Sequence, residues 1–170
     1  MTTDGLLNPP FPEGTGGPDG GVFFKAFSGN ASDGAATGHL YQDVPATPGT
    51  QYILKGWAGA EAHFLAGAEF AIEFFNGGGT LISGATLDLV AAGLFLPNGE
   101  PFNYKQYTVT ATAPVGTSFV RARVSMIDGM PNPAGGGQAF VVDDFELVPE
   151  PSTALGMVLL GAAALVRRRR

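Results

Sequence analysis

The sequence contains no cysteine in 170 residues, which removes disulfides, thiolate nucleophiles and cysteine-held metal sites together. Its two histidines, His39 and His63, form no His-x-His or His-x-x-x-His pair, so zinc has no ligand set. Tryptophan occurs once, at Trp57, and cations are scarce, with nine Lys and Arg against fifteen Asp and Glu. Four of those cations sit together at the C-terminus. Setting them and Glu150 aside leaves residues 1–148 with 5 basic and 14 acidic side chains, a net charge of about −9. Nucleic acid is thereby excluded as a partner, and so is general electrostatic attraction to an anionic lipid surface. There is no Gly-x-Ser-x-Gly elbow, and no carboxylate pair stands out for glycoside hydrolysis. The expectation is a protein without catalysis. With fourteen carboxylates in the domain, a secreted glycan-active hydrolase remains the alternative.

Glycine (26) and proline (13) are abundant, together about 23% of the chain and roughly twice the usual share. They punctuate short stretches of period-two alternation, the pattern of strands with one face buried. Residues 1–21 are rich in Gly and Pro and lead into the domain. Strands are predicted at 22–27, 39–44, 51–58, 69–76, 80–83, 104–112, 118–127 and 138–147. The run Asn76-Gly77-Gly78-Gly79 reads as a hairpin turn, since glycine takes positive φ at little steric cost. Residues 87–97 (LDLVAAGLFLP) fit either a short helix or an irregular apolar loop. About eight strands at hairpin spacing predict an all-β, antiparallel β-sandwich over residues 22–148.

Two places in this domain could bear a ligand. Trp57 falls on the less apolar face of its strand, beside Lys55. Its ring could be a platform for a pyranose, with Tyr104, Arg121 and Arg123 as companions, or it could simply cover a sheet edge. Asp143 is predicted to share a buried face with Val141, Phe145 and Leu147, where a carboxylate needs either a metal or loop N–H partners.

The tail departs from all of this. Pro149-Glu150-Pro151 should end any strand ladder. Fifteen residues from Ser152 to Val166 then carry no charge, and Arg167, Arg168, Arg169 and Arg170 close the chain. An apolar run stopped by arginines fits a membrane anchor with a cytoplasmic end. As a helix it would be about 22 Å long against roughly 30 Å of hydrocarbon, a gap that snorkelling and local thinning reduce. The other reading is a helix packed on the domain, although the run has no polar face.

This order of a Pro-Glu-Pro motif, a short apolar helix and a terminal arginine cluster resembles the PEP-CTERM protein-sorting signal. The resemblance implies export and transient anchoring in the inner membrane. It also implies recognition by an exosortase near Pro149–Pro151, and delivery to the cell surface or exopolysaccharide matrix. Export calls for a basic and apolar leader, which Met1-Thr2-Thr3-Asp4-Gly5 does not supply, so either a start upstream of Met1, the favoured expectation, or a truncated gene is implied.

Several phrases resemble the galactose-binding-like jelly roll, the fold of many carbohydrate-binding modules. They are Leu40-Tyr41-Gln42-Asp43-Val44, Pro48-Gly49-Thr50-Gln51-Tyr52, Thr112-Ala113-Pro114 and Val142-Asp143-Asp144-Phe145-Glu146-Leu147, after an opening that runs from Asn8 to Gly14. The resemblance implies a jelly-roll sandwich that binds polysaccharide or serves as a structural component. It also implies a structural Ca2+ held by Asp143 and Glu13, the latter in a motif shifted by one residue.

Overall fold

The computed structural model describes residues 2–4, 21–25, 35–61, 66–96, 104–129 and 139–150. They form ten strands and no helix: β1 (Thr2–Asp4), β2 (Gly21–Lys25), β3 (Ala36–Pro45), β4 (Gln51–Glu61), β5 (Gly67–Phe75), β6 (Leu81–Asp88), β7 (Phe95–Leu96), β8 (Lys105–Thr112), β9 (Phe119–Gly129) and β10 (Ala139–Pro149). One sheet runs β1-β2-β10-β4-β7, with β8 also paired to β4, and the other runs β3-β9-β5-β6. All pairings are antiparallel except β4–β7, which aligns Ala60 with Phe95. The expected all-β sandwich is therefore present. The ambiguous stretch at 87–97 resolves into a turn, in which Asp88 Oδ1 accepts from Val90 N and Ala91 N, followed by the two-residue β7. The C-terminal helix expected over 152–166 and Glu13 lie outside the described residues. Among the described residues no helix is long and apolar enough to cross a membrane.

The core lies between the sheets and follows the alternation of the strands. From β4 come Tyr52, Leu54, Ala58 and Ala60; from β5, Phe70, Ile72 and Phe74; from β8, Tyr107 and Val109; from β9, Val120, Val124 and Met126; from β10, Phe140 and Val142. Phe70 sits at its centre, 6.1 Å from the Tyr107 ring and 5.0 Å from that of Phe145.

The expected assignment of Val141, Asp143, Phe145 and Leu147 to one side of β10 fails, because a bulge follows Asp143. Asp143 pairs with Trp57, but the next pair is Glu146 with Lys55, so β10 carries one extra residue there. Asp144 takes the positive φ of 49° that the bulge requires. The bulge shifts the period by one. Phe140, Val142 and Leu147 consequently turn toward the core, whereas Val141 and Asp143 lie on the other side of the sheet, where Val141 is still fully buried. Phe145 also turns inward, and its ring covers Gly56 so closely that a Cβ there would stand 2.9 Å from it.

The sheet also extends further into the tail than the two prolines suggested. Pro149 pairs with Tyr52, and Glu150 N donates to Gln51 O at 2.8 Å. Proline is tolerated because β2 pairs with β10 only over residues 139–142, leaving Pro149 on an edge among the described residues.

Candidate functional site

The residues singled out from the sequence fall on two opposite outer faces. Trp57, Tyr104 and Asp143 belong to the sheet containing β4, β8 and β10. Arg121 and Arg123 lie on β9, in the other sheet.

On the β9 face, both guanidiniums are already held by carboxylates. Arg121 donates from Nε and Nη2 to Asp43 at 2.7 and 2.9 Å, and lies 3.9 Å over the exposed Tyr41 ring. Arg123 spans β9 and β5, reaching Glu73 at 2.9 Å and Glu69 at 3.2 Å, and it also contacts Ser125 Oγ. Ser125 is fully buried, and its hydroxyl meets His39 Nδ1 at 2.7 Å. These cross-strand ladders tie β3, β9 and β5 together. Arg121 and Arg123 thus lie on the face opposite Trp57, paired with carboxylates of their own sheet.

The hydrogen bonds from Arg121, and secondarily its charge, hold the Asp43 carboxyl below its ordinary value of 3.8. A depressed carboxylate contributes its stability above the unfolded-state value and loses it as pH falls through the folded one. The pair is partly exposed, so solvent screening limits its contribution to less than about 1 kcal/mol. Arg121→Gln is therefore expected to lower neutral-pH stability by that small amount and to flatten the acid limb below about pH 4. Chemical denaturation repeated from pH 7 to pH 3 checks this. An unchanged acid limb in the variant would contradict it.

The other outer face is built differently. Register places Asp143, Trp57 and Gln106 side by side across β10, β4 and β8. The next row is Glu146, Lys55 and Thr108. Trp57 is half-buried, while Gln106, Thr108, Thr110 and Glu146 are exposed. The result is a partly exposed surface, open at Gln106, Thr108 and Glu146 and closing toward Asp143, whose Oδ2 is buried, with the half-buried indole between them. Tyr104, just before β8, is largely buried. Burial and the negative charge of Asp143 push its hydroxyl above the ordinary tyrosine range. Two residues before Gln106, Tyr104 shares this face, where it is buried near Asp143.

Gln106 and Glu146 were not anticipated from the sequence. Each precedes or follows an apolar residue in ordinary alternation, and only the pairing of β4 with β8 and β10 brings them to Trp57.

Asp143 Oδ1 accepts from Asp144 N at 2.8 Å, an interaction that belongs to the bulge. Among the described residues no group of three carboxylate or imidazole side chains could hold a metal ion. A cleft of about 330 Å3 opens between the sheets, with Leu40, Gln42, Leu54, Phe145 and Leu147 in its walls. It is mainly apolar and lies away from the Trp57 face.

Comparison with known proteins assigns the end of the chain. Residues 147–170 match the PEP-CTERM protein-sorting motif. The PEP-CTERM match thus begins inside β10 and leaves the rest of the sandwich unassigned. No curated protein matches the chain. Among solved structures it is similar to the enzymatically active domain of bacteriophage CBA120 tailspike protein 4, with a TM-score of 0.46 and 12% identity. It is also similar to a CBM4 structure, with a TM-score of 0.40 and 17% identity. The alignments cover 67% and 66% of this chain, but 14% and 61% of those chains. Likeness at this level says nothing of ligand or activity.

Proposed function

We propose that this is an exported protein, sorted by an exosortase to the cell surface or exopolysaccharide matrix, whose sandwich binds neutral polysaccharide on the Trp57 face without catalysis. The sorting part of this reading is supported by the PEP-CTERM match at 147–170. In this reading the uncharged run ending in Arg167–Arg170 holds the protein in the inner membrane until the exosortase acts near Pro149–Pro151.

The observation that carries the binding part is the placement of Trp57 between Asp143 and the exposed Gln106 on a partly exposed sheet face. An indole offers its negative π-face to the C–H groups of a pyranose, and the flanking polar groups hydrogen-bond to its hydroxyls. A neutral polymer suits this face, because Asp143, Glu146 and the acidic domain around them would repel an anionic one.

Affinity electrophoresis in gels containing xylan, β-glucan, galactan or hydroxyethyl cellulose tests it. At least one polymer should retard the protein, and Trp57→Ala should weaken that retention about tenfold or more. Retention by a polymer that Trp57→Ala leaves intact would reject this face. No retention by any polymer would favour a structural matrix role.

A further inference from the structure

At the end of the sandwich from which the tail leaves, the described loops carry no ionisable side chain. Three loops meet there: residues 46–50 between β3 and β4, residues 76–80 between β5 and β6, and residues 113–118 between β8 and β9. Their sequences are ATPGT, NGGGT and APVGTS, with no ionisable side chain among them. Backbone hydrogen bonds knit them into one surface. Gly49 N donates to Ala113 O, Ala113 N to Thr50 O, Ala46 N to Ser118 O, and Ser118 N to Phe75 O. Asn76 Oδ1 closes the glycine hairpin by accepting from Gly78 N and Thr80 N. Two apolar side chains stand out from this end, Val115 at 95% exposure and Leu81 at 54%. The opposite end carries Asp88, Lys105 and Asp128.

The chain exits at the same place. Glu150 N is bonded to Gln51 O, and Gln51 pairs with Thr112 at the foot of the 113–118 loop. Only Pro151 separates Glu150 from the uncharged run. Two residues of extended chain reach at most about 7 Å. The headgroup layer on each side of a bilayer is roughly 5–8 Å thick. If residues 152–166 lie in hydrocarbon, this end of the sandwich must therefore rest in or on the headgroups. The shortness of the run, about 22 Å against roughly 30 Å, draws the domain further inward.

From this we infer that the loop end formed by residues 46–50, 76–80 and 113–118 is a membrane-contact surface, seated on the outer headgroup layer of the bilayer that holds the tail. The inference rests on the anchoring role proposed above for the tail. Its chemistry fits the partner. The rest of the domain is acidic and is repelled by anionic lipid, whereas this end presents hydroxyls, backbone amides and Val115. Anchored this way, the strands stand across the membrane plane, and the charged end points away from it.

The absence of native cysteine makes the test direct. The full chain, carrying either V115C or A91C with an environment-sensitive fluorophore on the new thiol, is reconstituted into vesicles of phosphatidylethanolamine and phosphatidylglycerol. Residue 91 lies in the turn at the opposite end. Lipids with a quencher on the headgroup should lower emission from the V115C label about twofold or more and leave the A91C label unchanged. Flotation of both proteins with the vesicles, but no quenching at either label, would overturn the membrane-contact surface while leaving the anchor intact. Failure to float would remove the anchor and the contact surface together.

Discussion

Phe70→Ala is expected to lower the unfolding free energy by about 3–5 kcal/mol, a large part of the roughly 5–15 kcal/mol typical of a domain. Phe70 is fully buried on β5, midway between the sheets, with Tyr107 across from it on β8 and Phe145 beside it on β10. Truncation removes the transfer free energy of a ring and leaves a void touching both sheets. The outcome depends on Phe145, which is 37% exposed at the rim of the core and is the neighbour best placed to swing inward. Collapse of that ring into the void would put the loss near the lower figure. Urea denaturation followed by near-ultraviolet circular dichroism measures it. Val115→Ala, at a site 95% exposed, is the comparison and should change stability by less than about 0.5 kcal/mol.

The second large effect concerns Arg123. Arg123→Met should cost about 2–4 kcal/mol, below the range for a fully buried pair because 16% of the arginine side chain is exposed. The cause is not loss of attraction alone. Removing the guanidinium leaves Glu69 and Glu73 on one face of β5, four residues apart, without the cation that bridges them. The triple variant Arg123→Met, Glu69→Gln, Glu73→Gln removes that uncompensated charge and should recover most of the loss. A triple variant no more stable than the single one would mean that packing of the arginine stem, rather than charge, accounts for the effect.

Most of the sandwich was legible from the sequence because its signals are local. Alternation in QYILKGWA and SFVRARVS gives strands with one apolar face, and Asn76 followed by three glycines gives the hairpin. The Pro-Glu-Pro motif, apolar run and arginines of the tail are read in a single window. What escaped depended on register. Nothing in VVDDFEL announces that Asp144 adopts positive φ, and that one conformation moves Asp143 from the expected buried face to the side of Trp57. Arg121 and Arg123 looked free to bind a ligand because their carboxylates come from β3 and β5, distant in sequence. The uncharged loop surface has the same origin. Three unremarkable turns become one surface only when the sheets stack.

The proposed meeting of the Trp57 face with polysaccharide can be read directly, because the chain has a single tryptophan. Intrinsic fluorescence of residues 1–150 would be followed while xylan, β-glucan or galactan oligosaccharides are added, using whichever polymer retards the protein in a gel. A saturable shift in Trp57 emission, with the same midpoint as retention and absent in a Gln106→Ala, Glu146→Ala variant that still folds, is the predicted result. Retention by polymer with Trp57 emission unchanged at saturation would place binding elsewhere and contradict the account.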